Sequence, residues 1–268
     1  MQKIKWKPSH LNSKMTIIIV AHDLVRLCYT AIESWLSALP LGCEFLVGDF
    51  DSTDSTHAVY TTLSKYAPMR IIHRKWRPET GGTAIGIATQ ELLSLCKTPY
   101  VLNLQACEIL CDDAINICLN EPHPWTKDGI GPSAFWFKHF WGNFRFDGSK
   151  GYSYGQAPRI YPQNQTGLDH GDGCWPPGGY PGWPMRGTVH RYSYCFDNQV
   201  AAKSINHYQL YLGHAQTPDQ RLASINFCKS NPNYDGPHPA CVQHLVGQVN
   251  YDIIRSWAII QPTLETLG

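Results

Sequence analysis

Four apolar runs in the first 110 residues constrain the fold more than any other feature of the sequence. They lie at Met15–Ala21, 44–48, 69–73 and 100–102. The first, M-T-I-I-I-V-A, is rich in β-branched residues without polar alternation, which is typical of a parallel strand covered on both faces. Segments with helical spacing separate the runs, at 24–39, 59–66 and about 84–95. This alternation predicts βαβ units and an α/β fold, with a mostly parallel sheet that carries helices on both faces.

Polar and acidic residues gather where these strands end. The first strand runs into A-H-D, the second into D-F-D-S-T-D-S-T, and the fourth into Gln105 and Glu108. Acidic side chains at the carboxyl ends of strands in an open α/β sheet can hold a metal ion and a phosphate. Taken alone, each group is equally typical of a capped loop, a turn or a surface acid. The ordered set is what indicates a ligand site.

Two common nucleotide-binding motifs are missing. A Rossmann dinucleotide site needs G-x-G-x-x-G at the first strand–helix turn. That turn here reads A-H-D-L-V and has no glycine, and no Walker loop is present. These two classes are therefore excluded.

Composition narrows the remaining classes. The chain has 268 residues, 43% of them hydrophobic and 12% aromatic, which suits one large α/β domain and argues against global disorder. The net charge of +1 implies no bulk electrostatic attraction to nucleic acid, although a local patch is compatible with it. Ten cysteines at no zinc spacing indicate reduced, buried thiols. No apolar stretch is long enough for a membrane span or a signal peptide, so we expect a soluble, cytoplasmic protein of a bacterium or a virus-infected cell.

Three of these segments together resemble the family-2-type glycosyltransferases of the GT-A fold. Those enzymes carry E-I-I-V-V-D-D-G-S-T-D-G-T after the second strand, and this chain has E-F-L-V-G-D-F-D-S-T-D-S-T in the same register. A bacterial and phage-like subgroup carries L-Q-A-D-E, where this chain has L-Q-A-C-E. Phe50 and Cys107 stand where the family has acids. The resemblance covers about residues 15–212 and is strongest over 15–110.

The resemblance implies a site for a nucleotide-diphosphate sugar. The donor-binding residues it implies are Ala21, His22, Asp23, Asp49, Asp51, Gly82, Thr83, Gln105, Ala106, Cys107, Arg191 and Lys203. Asp49 would accept from a nucleobase N–H. Glu108 and His190 would hold Mn²⁺ or Mg²⁺, which would neutralise the departing diphosphate.

After residue 115 the pattern changes to aromatic, Gly-rich and Pro-rich sequence. Residues 133–146 and 152–161 predict an antiparallel ribbon. It contains H-F-x-G and R-I motifs of the relatives, which implies acceptor contacts for His139 and Arg159, together with Trp175 and Trp183 from the Pro/Gly-rich loop. An inverting transferase also needs a carboxylate base, for which Asp172 is the first candidate and Asp169 the second. A plain loop role remains open for each of these loop residues.

We expect the chain to fold as a single glycosyltransferase domain over residues 1–268. It would have a nucleotide-sugar half (13–120), an acceptor and metal half (121–212) and a C-terminal helical extension (213–268). The expected activity is metal-dependent, inverting transfer of a hexosyl or pentosyl group to a hydroxyl acceptor, either a glycan or a hydroxymethylated DNA base of the viral type. The alternative is a non-catalytic nucleotide or sugar binder on a decayed transferase fold. The sequence gives no indication of oligomeric state.

Overall fold

The computed structural model describes residues 14–120, 125–126, 129–130, 132–149, 155–168, 185–210, 216–250 and 252–265. Its strands are β1 Met15–Ala21, β2 Glu44–Phe50, β3 Met69–Arg74, β4 Tyr100–Asn103, β5 Glu108–Leu110, β6 Trp125–Thr126, β7 Gly129–Ile130, β8 Ser133–Trp141, β9 Gln156–Pro162 and β10 Met185–Tyr194. Its helices are α1 Leu24–Leu27, α2 Ala31–Ala38, α3 Thr56–Leu63, α4 Ala84–Ser94, α5 Asp112–Asn120, α6 Asp197–Leu210, α7 Pro218–Ser230 and α8 Ile253–Glu265, with 3-10 turns at Leu39–Leu41, Pro78–Thr83 and Ala240–Leu245.

Eight of these strands form one sheet in the order β3-β2-β1-β4-β9-β8-β10-β5. The first four strands are mutually parallel, as the βαβ pattern predicted. Strand β9 is antiparallel to both of its neighbours, β8 and β10 are parallel, and β5 closes the far edge antiparallel to β10. The result is the predicted mixed α/β fold, in which parallel pairs outnumber antiparallel ones.

Strands β1 and β2 are buried on both faces, which explains their unbroken apolar runs, whereas the edge strand β3 is partly exposed. In β1, Ile17 and Ile19 enter the core that contains Trp35 of α2, whereas Ile18 between them enters the core that contains Leu92 of α4. Since neighbouring residues of a strand point to opposite faces, a strand between two helical layers needs apolar residues at every position.

Residues 102–110 do not form the end of a single strand. Strand β4 stops at Asn103, the chain turns through residues 104–107, and Glu108 begins β5 at the opposite edge of the sheet. The predicted helix over 24–39 is also interrupted, since α1 and α2 are separate. The aromatic ribbon is confirmed, with β8 and β9 paired from Ser133 to Trp136.

Within the described residues, no helix has both the length and the apolar character that crossing a membrane requires. The predicted division of the chain into three parts stays a prediction.

Gly142, immediately after β8, allows a close approach between the sheet and α7. Its φ is +76°, and a Cβ atom there would lie 2.7 Å from the carbonyl oxygen of Ile225. This residue therefore needs glycine both for its backbone conformation and for space. Gly247 has φ +85° but no heavy atom within 4 Å of its Cβ position, so it requires glycine for conformation alone.

We expect Gly142→Ala to lower the free energy of unfolding by about 1–3 kcal/mol more than Gly247→Ala does. Both variants adopt the left-handed conformation, but only Gly142→Ala must also displace packed backbone. Urea denaturation of the two variants measures the difference. Equal losses would contradict the close approach of α7 to this residue.

Candidate functional site

A cavity of about 390 Å³ opens where β1 and β4 end. Its walls come from the ends of these strands, the turn after β4, strands β8 and β10, and helices α6 and α7. The predicted donor residues that line it are His22, Gln105, Ala106, Cys107, Arg191 and Lys203. The carboxyl ends of parallel strands in open α/β sheets are where ligands bind, so this cavity is the candidate active site.

One wall of the cavity is a stacked pair of rings. His22 and Trp76 have their ring centroids 4.6 Å apart with an angle of 14° between the planes. The Nδ1–H of His22 donates to the carbonyl oxygen of Phe50 at 2.6 Å, which fixes the imidazole orientation. The backbone N–H of Trp76 donates to the carboxylate of Asp51 at 3.0 Å. A flat aromatic surface of this kind is suited to stacking against a planar base.

The other end of the cavity is positively charged. The Nε–H of Arg191 donates to the Cys107 sulfur at 3.4 Å, and the Lys203 ammonium lies 3.6 Å from the Cys28 sulfur. The guanidinium of Arg221 lies over the ring of Trp141, 5.1 Å from its centroid. These three cations line the same cavity as the aromatic wall.

The two thiols at this end have opposite pKa shifts. A hydrogen bond from the Cys28 thiol, reinforced by the positive charges of Arg191 and Lys203, holds the pKa of Cys107 well below its ordinary value. The pKa of Cys28 is raised well above its ordinary value, first because its thiol is bonded to Cys107 and then because it is buried. Of the two thiols, Cys107 is therefore the one whose ionisation these contacts favour.

Two histidines of the cavity, His139 and His207, have lowered pKa values. Burial, followed by repulsion from Arg191, Lys203 and Arg221, holds the pKa of His139 well below its ordinary value. Burial likewise lowers the pKa of His207 to about 4. No Asp or Glu is found among the described residues that line the cavity. Its positive charge comes from the three cations.

Glu108, one predicted metal ligand, is committed to a buried ion pair. Its carboxylate is 0% exposed and accepts from Nε and Nη2 of Arg159 at 2.8 and 2.7 Å. It also accepts the backbone N–H of Gln105 at 3.2 Å. This bidentate contact disfavours the metal role of Glu108. It equally disfavours an acceptor contact for Arg159, which is 1% exposed.

His190, the second predicted metal ligand, lies on the other face of the sheet. In the β10–β5 register Arg191 stands opposite Glu108, whereas His190 stands opposite Ile109. Side chains alternate along a strand, so Glu108 and His190 point to opposite faces and are not brought together. Nδ1 of His190 instead lies 3.2 Å from the Tyr192 hydroxyl, and burial lowers the pKa of His190 to about 3.

The acidic residues after β1 and β2 do not line the cavity. The carboxylate of Asp23 accepts the backbone N–H of Thr53 at 2.6 Å, which ties the loop after β2 to the end of β1. Asp51 adopts φ 53° and supports Trp76. Asp49 faces α3 and β3, where its Oδ2 lies 3.6 Å from Nδ1 of His57 and 3.6 Å from Nδ1 of His73. The capped-loop interpretation therefore describes Asp51, and Asp23 holds the same loop.

The cavity lining includes one further predicted residue, His139. It does not include Ala21, Gly82 or Thr83. Asp169, Asp172, Trp175 and Trp183 lie outside the described residues. The lining residues that the sequence interpretation missed include Cys28, Trp76, Trp141 and Arg221. They are distant from one another in the sequence, and the tertiary fold brings them together.

Glycosyltransferases are found among the solved structures similar to this chain. TarS 1-349 of S. aureus in complex with UDP-GlcNAc is 11% identical, with a TM-score of 0.45, and the match covers 95% of this chain and 79% of that one. The mannosyltransferase PcManGT of Pyrobaculum calidifontis, with GDP-Man and Mn²⁺, is 13% identical with a TM-score of 0.41, over 97% of this chain and 87% of that one. Glucosyl-3-phosphoglycerate synthase of Mycobacterium tuberculosis, with Mn²⁺, UDP and glucosyl-3-phosphoglycerate, is 20% identical with a TM-score of 0.30, over 50% and 49%. No protein-family model matches the chain, and no curated protein sequence matches it significantly.

Removing the Glu108 carboxylate is expected to destabilise the fold severely. Glu108→Ala removes the bidentate carboxylate partner of the buried Arg159, so we expect the free energy of unfolding to fall by about 3–5 kcal/mol. The double variant Glu108→Leu, Arg159→Leu removes both charges and should recover most of this loss. Urea denaturation distinguishes the two. A loss of less than about 0.5 kcal/mol in Glu108→Ala, as at a surface acid, would contradict the buried pair.

The thiol of Cys107 should react with iodoacetamide at pH values where ordinary thiols do not. Only the thiolate is nucleophilic, and a lowered pKa raises the thiolate fraction of Cys107 above that of an ordinary thiol. Its rate should therefore fall less steeply between about pH 9 and about pH 7 than that of Cys111, whose pKa burial raises to about 12 and which should slow about tenfold per pH unit. Cys28→Ala removes the donated hydrogen bond and should restore a steep dependence at Cys107. Peptide mass spectrometry measures each site, and a steep dependence at Cys107 in the wild type would refute the assignment.

Proposed function

We propose that the chain is a glycosyltransferase that binds a nucleoside-diphosphate sugar in this cavity. The observation that carries the proposal is that a stacked aromatic pair, His22 on Trp76, lines the same cavity as the three cations. A nucleoside diphosphate has the complementary arrangement, a planar base and a polyanionic group. Base–aromatic stacking and charge-assisted hydrogen bonds to phosphate are the interactions by which proteins hold those two groups.

The cations are suited to stabilising a diphosphate leaving group. Burial acts to lower the pKa of both Arg191 and Lys203, but attraction to Cys107, with Glu108 for Arg191 and Cys28 for Lys203, outweighs it and raises both pKa values. Both side chains therefore stay positively charged near neutral pH. Fixed positive charges in a cavity with little water stabilise the negative charge that develops as the sugar–phosphate bond breaks.

The contacts of Glu108 and His190 argue against the metal role predicted for them. Mn²⁺ and Mg²⁺ prefer several hard oxygen ligands. Glu108 is bound to Arg159, His190 faces away, and the described cavity residues include no carboxylate. Arg191, Lys203 and Arg221 supply positive charge at this end of the cavity, and no metal is assigned to the reaction.

In the proposed reaction the acceptor hydroxyl oxygen attacks the anomeric carbon of the donor sugar. The bond from that carbon to the diphosphate oxygen breaks, and the hydroxyl proton passes to a carboxylate base. Asp172 and Asp169 remain the candidates for this base. Attack from the face opposite the leaving group inverts the anomeric configuration.

The acceptor is proposed only by class, as a glycan hydroxyl or the hydroxyl of a hydroxymethylated base in DNA. The two differ in charge and size, so a gel shift with hydroxymethylated and unmodified duplexes separates them. Transfer of label from a nucleotide sugar to one of the two acceptors identifies the substrate directly.

A second candidate function is non-catalytic binding of a nucleotide or nucleotide sugar. The lack of a carboxylate among the described cavity residues favours it, because the carboxylate base proposed for the transfer is not found among them. A turnover assay separates the two functions. Binding of nucleotide sugar without hydrolysis or transfer would favour the binder.

The cationic end should dominate affinity for a nucleoside diphosphate. We expect Arg191→Met and Lys203→Met each to weaken UDP or GDP binding by about 10–100-fold, since a charge-assisted hydrogen bond contributes about 1.5–3 kcal/mol. EDTA should leave wild-type binding unchanged. Isothermal titration calorimetry provides the measurement, with circular dichroism to verify folding.

The matched control is Arg70→Met, which removes a cation on β3 that pairs with Glu44 away from the cavity. It should bind the nucleotide as the wild type does. Wild-type affinity in both cavity variants, or binding that disappears in EDTA, would contradict the proposal.

A further inference from the structure

Three side chains outside the cavity converge at the edge of the sheet. Asp49 lies near the end of β2, His73 stands beside it in the register of β3, and His57 lies in the first turn of α3. Nδ1 of each histidine is 3.6 Å from the same oxygen, Oδ2 of Asp49, and one ligand atom from each residue lies within 4.8 Å of the other two. None of the three residues lines the cavity.

These distances are too long for hydrogen bonds and suited to a shared ion. A donor–acceptor distance of 3.6 Å exceeds the hydrogen-bonding range. In a tetrahedral zinc site with bonds of about 2.0–2.1 Å, neighbouring ligand atoms are about 3.3–3.4 Å apart. Movements of a few tenths of an ångström would therefore bring each Nδ1 to this spacing from Oδ2, and the ligand atoms of the two histidines lie within 4.8 Å of each other.

The carboxylate is already oriented for this role. Asp49 is 4% exposed, and its Oδ1 accepts the backbone N–H of Ser52 at 3.1 Å. That bond fixes the carboxylate and directs its other oxygen towards the two imidazoles. Hydrogen bonds from neighbouring groups position metal ligands in this way.

The His57 ring is positioned as well. The hydroxyl of Thr61, one helical turn later, lies 3.3 Å from Nε2 of His57 and can accept its N–H. The tautomer with the proton on Nε2 is the one that leaves the Nδ1 lone pair available to a metal. The two imidazole rings lie 4.8 Å apart, both beside the carboxylate.

We propose that Asp49, His57 and His73 form a binding site for a divalent transition metal of the zinc type. Two imidazole nitrogens and one carboxylate oxygen are a borderline-soft ligand set, which suits Zn²⁺ rather than Mg²⁺ or Ca²⁺. His57 and His73 are largely exposed, with 48% and 69% of their side chains accessible, so a fourth position is open to water. The ion would join β2, β3 and α3, and with them both ends of the loop that connects β2 to α3.

Titration of the metal-stripped full chain with Zn²⁺ tests the site. We expect one saturable ion per chain and a higher melting temperature with Zn²⁺, since an ion that binds only the folded state stabilises it. His57→Gln, His73→Gln and Asp49→Asn should each weaken binding by at least about tenfold. Asp49→Asn keeps the oxygen that accepts from Ser52, so the loop itself should remain intact.

His22→Gln is the matched control, because it removes a nearby histidine outside the cluster and should leave Zn²⁺ affinity unchanged. Thiols are the main competing ligands in this chain. Co²⁺ substitution distinguishes them, because a site of nitrogen and oxygen ligands lacks the thiolate-to-cobalt charge-transfer band. No saturable binding, binding that persists in both His57→Gln and His73→Gln, or a thiolate band that accounts for the bound ion would each overturn the proposal. The site does not depend on the proposed transferase activity, so loss of that activity would leave it standing.

Discussion

The buried ion pair between Glu108 and Arg159 is the contact on which the charge of the cavity and the position of its floor depend. Both side chains lie inside the sheet, and removing either would leave an uncompensated charge in a medium of low polarity. The pair joins the start of edge strand β5 to central strand β9, across the turn that carries Gln105 and Cys107. The position of that turn, and so the floor of the cavity, therefore depends on this contact.

The same pair explains why the cavity is cationic. Because both oxygens of Glu108 are engaged by Arg159, Arg191 keeps only a distant contact of 4.0 Å with that carboxylate. Its close partner is the sulfur of Cys107, and Lys203 stands beside Cys28. Attraction to Cys107 and Glu108 raises the pKa of Arg191, and attraction to Cys28 and Cys107 raises the pKa of Lys203. An acid at residue 107, as in the resembled family, would instead place a second full carboxylate beside Arg191.

Periodicity alone predicted most of the elements and only part of the site. Unbroken apolar runs gave β1 to β4 because such a run is a local property of each strand. The separation of Glu108 from His190 was not predictable in this way, since it depends on which residue of β10 stands opposite each residue of β5. A shift of one residue would exchange Arg191 for His190 in the cavity. Periodicity also could not predict the positions of Trp76, Trp141 and Arg221, because they depend on contacts distant in the sequence.

The Asp-rich loop after β2 shows how one motif can serve both faces of a sheet. Asp51 turns towards the cavity side and holds the backbone of Trp76, while Asp49, two residues earlier, faces α3 and the histidines. Ser52 connects Asp49 to the end of β1, because its backbone N–H donates to Asp49 and its hydroxyl accepts the backbone N–H of Asp23. An ion bound at Asp49 would therefore restrain the loop that supports the stacked wall, through backbone contacts and without entering the cavity. We expect such an ion to make the proposed nucleotide site more rigid without contacting the nucleotide.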